Sequence, residues 1–419
     1  METTTYPRLG EQVIRHQLPN GLPIFIIPRP GFTKKLCYFV TDFGAIHTDF
    51  TLDGKQWSVP AGIAHYLEHT LFHMPEERDV SAEFAALGAI TNAFTSYDMT
   101  AYYFSCTENF PKALDLLLEF VSTPYFTEET VQKEQGIIGQ EIRMYEDVPG
   151  WRVLFNLLRA MYHNHPVKVE IAGTVESIAK ITDKTLYDCY RTFYNPSNMF
   201  VCLCGNFDSG KVLTMIDERI KPSETAEIHR SEFSEPESLV ETYVEQKMPV
   251  AMPLFVVGVK DNKLKLERSE KQIIASSLLL ETVAGRISPL YNRLLNEGLI
   301  NPQFGTEFFY GHGYAALLFD GESSDPEKVR DAIVAELRSV AENGVDPDLF
   351  EDARRKLYGK EIRAFNDVEE TVDGFIDCAM NGFEPFNSLK ILGEITADDI
   401  TARARELDLT LCALSVIKA

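Results

Sequence analysis

Residues 139–147 read GQEIRMYED, and residues 359–367 read GKEIRAFND. Five of the nine positions are identical, and Tyr145 against Phe365 is a sixth, conservative match. The copies lie 220 residues apart in a chain of 419, about half its length. Outward from them the surroundings match in kind. An amphipathic helix precedes each copy, FPKALDLLLEFV (110–121) in one case and DPEKVRDAIVAELRSV (325–340) in the other. A helix-like segment and then an apolar strand follow each, closing on MFVCLCGN (199–206) and TLCALSVI (410–417). A repeat with the same order of elements points to a duplicated domain.

The chain is expected to be α+β: two homologous α/β halves, each a mostly antiparallel sheet covered by helices on one face. Strands are predicted over Gly21–Ile27, Leu36–Thr41, Thr100–Cys106 and Met199–Gly205, from apolar and β-branched runs bounded by turn residues. Helices are predicted over Val59–Met74, with Pro60 near the first turn, over Lys112–Val121, and over Thr127–Glu146 with Thr127 as N-cap. Between the halves, PSETAEIHRSEFSEPESLVE is polar, acidic and holds two prolines. It reads as a solvated linker. The expected domains are 1–220, a linker 221–241, and 242–419.

The chain carries 40 Lys+Arg against 63 Asp+Glu, a formal net charge of −23. That field repels phosphate backbones and anionic lipid surfaces, so no nucleic-acid or membrane partner is expected. The longest apolar candidate noted, Met248–Val259, has 12 residues and holds two prolines, short of a membrane span. The start METTTYPRLGEQ shows no basic segment followed by an apolar run. Seven cysteines are scattered without a C-x-x-C, which fits reduced thiols and a cytoplasmic location. Cys202 and Cys204 share one side of a strand and read as small buried apolar residues.

The chemistry concentrates at His65-Tyr66-Leu67-Glu68-His69. On a helix, positions i, i+3 and i+4 share a face. Two neutral imidazoles so placed can hold one Zn²⁺. The Glu between them sits beside the metal, where a base can take a proton from metal-bound water. The order is H-x-x-E-H, the inverzincin motif. A catalytic zinc needs a third protein ligand. The helix at 127–146 offers Glu134 and Glu141, seven apart and hence on one face. Ile137 and Ile138 suggest that this face packs inward. One acid can then bind metal while the other holds a ligating His; spacing alone leaves a pair of exposed helix acids equally open.

With these residues in view, the chain resembles the pitrilysin/insulinase/mitochondrial-processing-peptidase family of zinc peptidases, in particular its bacterial two-domain YmfH-type members. ALGAITNAFTSYDMTAYY (86–103), HPVKVEIAGTVESI (165–178) and YNPSNMFVCLCGN (194–206) also match, and the likeness covers the whole chain. The resemblance implies a zinc metalloendopeptidase with one Zn²⁺ per chain, acting on peptides in an enclosed chamber. It makes His65, His69 and Glu141 the zinc ligands, Glu68 the catalytic base that activates the water, and Glu134 the carboxylate behind a ligand. The strand around Asn92, Ala93, Phe94 and Thr95 would pair its edge with an extended substrate, a mode that reads main chain rather than sequence.

The second half has no H-x-x-E-H. Glu361, which matches Glu141 in the repeat, reads as a structural remnant. Where the family often places an Arg/Tyr pair, SPLYNRLLNEGLIN (288–301) puts Leu295 and Asn301; Arg293 and Tyr314 lie near but are not promoted. That departure suggests a heterodimer in which a sister subunit supplies the pair, or a homodimer. The other reading is a non-proteolytic assembly or scaffold subunit. Outside the motif, His73 is read as holding or surface residue rather than ligand. His163 and His165 are read as loop, and Glu76–Asp79 as a solvated stretch.

Overall fold

The computed structural model describes residues 2–7, 9–221, 227–231 and 233–419. The strands, in chain order, are β1 (Glu2–Tyr6), β2 (Glu11–Gln17), β3 (Pro23–Pro28), β4 (Lys35–Thr41), β5 (Asp49–Leu52), β6 (Lys55–Ser58), β7 (Ala89–Thr95), β8 (Thr100–Cys106), β9 (Met199–Gly205), β10 (Ile228–Arg230), β11 (Tyr243–Lys247), β12 (Leu254–Lys260), β13 (Gly305–Gly311), β14 (Tyr314–Glu322) and β15 (Cys412–Lys418). The predicted strands at 100–106 and 199–205 fall on β8 and β9.

The first sheet runs β1-β2-β3-β9-β4-β8-β7, and the second runs β11-β15-β12-β14-β13. In the first, β3 and β9 are parallel, while β9–β4, β4–β8 and β8–β7 are antiparallel. In the second, β11 and β15 are parallel, while β15–β12, β12–β14 and β14–β13 are antiparallel. Five strands thus recur in one order with one set of directions. The duplication read from a nine-residue match is a duplication of topology. The α+β class holds, with β1 and β2 added to one side of the first copy. A small sheet, β10-β5-β6, completes the description.

The chain forms two compact units, and each contains a helix from the other half of the sequence. Unit one is 1–142, 170–231 and 366–380; unit two is 143–169, 232–365 and 381–419. The expected halves 1–220 and 242–419 therefore differ from the units by one helix in each direction. Both are the helices that follow the repeat, Pro149–Met161 and Val368–Asn381.

Alternation along the strands shows where they pack. On the first sheet Ile24, Ile26, Cys37 and Phe39 point into the main core, while Phe25 and Tyr38 point to the reverse. There Phe375 meets Phe25 with ring centroids 5.0 Å apart, and the Arg29 guanidinium donates to Thr371 Oγ1 at 3.2 Å. On the second sheet Phe255, Val257 and Val259 face the core. Gly258 faces the other way, against Met161 and Leu157: a Cβ there would stand 2.6 Å from Met161 Sδ. Each half's own helices cover one face, and the transferred helix covers the reverse.

Two expectations change. Of the linker 221–241, residues 222–226 and 232 lie outside the described residues. The remainder is not simply solvated. Ile228–Arg230 pairs with β5. The Glu235 side chain is 2 % exposed and pairs with Lys260 Nζ at 2.9 Å, because its carboxylate also accepts the backbone N–H groups of His163, Asn164 and His165. These bonds hold its pKa at about 2, against the opposing effect of burial. The second change concerns Glu270–Asn296, which is long and apolar enough to cross a membrane. Here it is two successive helices, Glu270–Ala284 and Pro289–Asn296. Their Ile274, Leu278, Leu279, Val283, Leu290 and Leu294 are buried in the core of unit two.

Candidate metal centre

The motif helix runs Ile63–Leu71, shorter than the predicted 59–74. Gly62 precedes it at φ 90°, and a Cβ there would stand 2.3 Å from the Ala172 carbonyl oxygen. Only glycine combines that left-handed backbone with so close an approach. Tyr66 and Leu67 turn into the core at 0 % exposure. Tyr66 Oη donates to the Val131 carbonyl, which ties the motif helix to the helix Glu128–Glu146 one turn before Glu134.

That tie sets the geometry. His65 Nε2 lies 3.8 Å from Glu141 Oε1, and His69 Nε2 lies 3.5 Å from Glu141 Oε2. The two imidazole centroids are 4.6 Å apart. Among the described residues His65, His69 and Glu141 are the one group of three whose ligand atoms lie within 4.8 Å of each other. Tetrahedral zinc with bonds of about 2.0–2.1 Å places its ligand atoms roughly 3.3–3.4 Å apart. The observed spacings of 3.5 and 3.8 Å are slightly wider than this. His65 Nδ1 is buried without a hydrogen-bond partner. The ring's other nitrogen, Nε2, faces the Glu141 carboxylate and is the one placed to hold a metal.

Glu134 is 5 % exposed and accepts from both sides. Its Oε2 is 3.3 Å from His69 Nδ1, and its Oε1 is 2.8 Å from His73 Nε2. Glu68, 9 % exposed, accepts the Thr95 hydroxyl at 2.6 Å. Thr95 ends β7, which is the edge of the first sheet. Asn92, Ala93 and Phe94 lie on the same edge strand, with Phe94 set beside Tyr38 and Tyr103.

Electrostatics follow from burial. Burial, with the neighbouring His69, lowers the His65 pKa to about 3, so this ring is neutral and ready to donate a lone pair. Burial would also lower His69, but its bond to Glu134 and the charges of Glu68 and Glu141 outweigh that and raise it. Burial raises Glu68, opposed by the Thr95 bond. For Glu134 burial is outweighed by the two histidine bonds, which bring it to about 2.

Ile137 is 44 % exposed, whereas Ile138 is fully buried. Glu134, Ile138 and Ile142 form the buried stripe at i, i+4 and i+8. Glu141 sits on its flank, where it reaches the histidines. The stretch Glu76–Asp79 is solvated as expected, with Glu76, Glu77 and Asp79 exposed and Arg78 half-buried. Arg78 pairs with Glu83 and Glu119, and Asp79 caps the helix Val80–Ala86. His165 is fully buried, bonded to the His312 carbonyl and the Val167 amide, as a loop residue.

In unit two Glu361 accepts from Ser388 at 3.0 Å. Leu295 packs on the core, and Asn301 donates to Glu322 at 2.7 Å. Arg293 lies over Glu297 at 3.9 Å. Tyr314 is 2 % exposed and packs between Phe309 and His165, so it cannot stand in for an exposed tyrosine.

Residues 58–175 match the insulinase (peptidase family M16) profile, and 180–357 match the peptidase M16 inactive domain. The chain belongs to the M16 insulinase family. It is similar to the zinc protease YmfH of Bacillus subtilis, at 39 % identity over 94 % of both chains. It is also similar to the zinc protease SCO5738 of Streptomyces coelicolor, at 26 % over 87 % of this chain and 82 % of that one. An M16-like peptidase from Alicyclobacillus acidocaldarius superposes with TM-score 0.94 and 34 % identity over 99 % of both chains. The "inactive domain" match falls on the stretch that lacks the H-x-x-E-H.

Proposed function

We propose that this M16 protein is a zinc-dependent metallopeptidase hydrolysing peptides. The observation that carries the reading is the convergence of His65, His69 and Glu141, with Glu68 on the same helix face and the open edge β7 beside it. The zinc named for its relatives fits these three donors, one ion per chain. When bound, zinc supplies a Lewis acid that polarises a carbonyl and acidifies water. The chain's own residues do the rest. Glu68 takes the proton of the attacking water on its carboxylate and passes it to the leaving amine. A carboxylate whose pKa burial has raised above the usual carboxylate value suits both transfers. Glu134 holds His69, and β7 at Asn92–Thr95 takes the peptide main chain as an added strand.

The working unit in this proposal includes a partner subunit, which closes an enclosed chamber and supplies the Arg/Tyr pair replaced here by Leu295 and Asn301. The seven cysteines, five of them buried and none in a disulfide, support a reducing compartment, and we place the protein in the cytoplasm. Recovery from an oxidising compartment on cell fractionation would overturn that placement.

The decisive test is cleavage of a quenched peptide library by the chain co-purified with its native partners. Glu68→Gln should lower cleavage by about 10²–10⁴-fold with zinc retained. Equal cleavage by wild type and Glu68→Gln sinks the mechanism. The Leu295 and Asn301 departure favours one second reading, a non-proteolytic scaffold subunit. Zinc well below one per chain, with no gain on adding it, would support that instead.

A further inference from the structure

We propose that His73 is a positioning residue of the metal centre, acting through Glu134 on His69; this rests on the reading of His65, His69 and Glu141 as ligands. His73 lies two residues beyond the end of the motif helix at Leu71, so helical spacing does not set its direction. Other contacts do. Its backbone N–H donates to the Thr70 carbonyl at 3.1 Å, and the residue pairs with Asp79 in an isolated antiparallel bridge. The segment between them is anchored. Met74 is 3 % exposed. The Arg78 guanidinium donates twice to Glu83, at 2.9 and 2.8 Å, and twice to Glu119, at 2.9 and 3.4 Å. This is a fixed platform rather than a loose surface turn.

From it His73 Nε2 reaches Glu134 Oε1 at 2.8 Å, while His69 Nδ1 stands 3.3 Å from Oε2. The terminal torsion of a glutamate is broad. A carboxylate held by one oxygen can therefore turn about that torsion. Holding the second oxygen fixes its plane. With the plane fixed, Oε2 keeps the Nδ1–H of His69 in place. That leaves Nε2, the nitrogen 3.5 Å from Glu141, as the one with a free lone pair. Partners of this kind set ring orientation and tautomer in metal sites. His73 is not itself a ligand: its Nε2 is engaged by Glu134, and it lies outside the convergent group of three.

The test reads metal affinity rather than cleavage. Zinc is titrated against a chromogenic chelator into the full chain, using wild type, His73→Phe, His73→Gln, Glu134→Ala and the Glu134→Ala/His73→Phe double variant. His73→Phe should weaken zinc binding about tenfold. His73→Gln keeps an N–H donor and should stay within about threefold. In the Glu134→Ala background His73→Phe should add nothing, since its path is gone. If the metal-free His73→Phe chain melts early, His73→Ala repeats the comparison. Wild-type affinity in His73→Phe, or full additivity in the double variant, overturns the relay alone. A wild-type chain that binds no zinc overturns the ligand assignment, and the relay with it.

Discussion

In unit one the helix between β4 and β7 carries His65, Glu68 and His69; in unit two the helix between β12 and β13 carries Leu278, Glu281 and Thr282 at the same spacing. Across the 220-residue repeat, Glu141 meets Glu361 but Glu134 meets Arg354. The second helix therefore buries Leu278 and Thr282 as core, and Glu281 is neutralised by Lys356 at 2.5 Å. Arg354 pairs with Glu351 and donates to the Leu392 carbonyl. The same strand order supports either outcome. In unit one, two imidazoles and a carboxylate converge within 4.8 Å of one another. In unit two, Lys260–Glu235 and Arg403–Asp261 close upon themselves with side chains at most 2 % exposed. A handful of side chains on one helix pair, not the fold, separates a convergent set of metal-ligating side chains from a packed core.

The contrast can be broken at several points. Replacing both imidazoles with apolar or short side chains, His65→Leu with His69→Thr, should abolish zinc binding by elemental analysis. Retained zinc would show that the ligands lie elsewhere. Lys260→Met leaves Glu235 buried without its partner and should cost about 3–5 kcal/mol in chemical denaturation, with zinc content unchanged. Stability equal to wild type would mean that the pair is no closed unit.

The same pair gives a pH signature. The folded Glu235 pKa of about 2 lies below an unfolded value of about 4.3. Its contribution is thus present above pH ~4.3 and lost as pH falls through ~2. The stability gap between wild type and Glu235→Gln should close over that interval, and a gap constant with pH would refute the assignment. The smallest effect expected is at Thr95. Thr95→Val removes the donor to Glu68 and should lower kcat about tenfold with zinc retained, while Thr95→Ser restores most of it. A change confined to KM would place Thr95 in peptide binding alone.

Much of this was legible in residues. The i, i+3, i+4 spacing put His65, Glu68 and His69 on one face whatever the fold. The nine-residue repeat carried the duplicated topology. The destinations of Pro149–Met161 and Val368–Asn381 were not legible, because an amphipathic pattern says which face is buried and not against which sheet. The inward face of 128–146 was half right, since a seven-residue spacing does not distinguish the stripe through Ile138 from the flank through Ile137. For His73 a holding or surface role was legible, but not which group it holds, because periodicity stops where the helix stops. Its place comes from the Asp79 bridge and the Arg78 anchor, contacts that no local pattern announces.

The transferred helices also bear on the order in which the protein is made. The sheet that carries β7 and packs against the motif helix is itself backed by Val368–Asn381. During synthesis unit one therefore waits with Phe25 and Tyr38 uncovered until residue 380 has left the ribosome. Meanwhile Pro149–Met161 waits for β12 and β15. A gene cut between the halves yields two fragments, each missing one cover and carrying one spare helix.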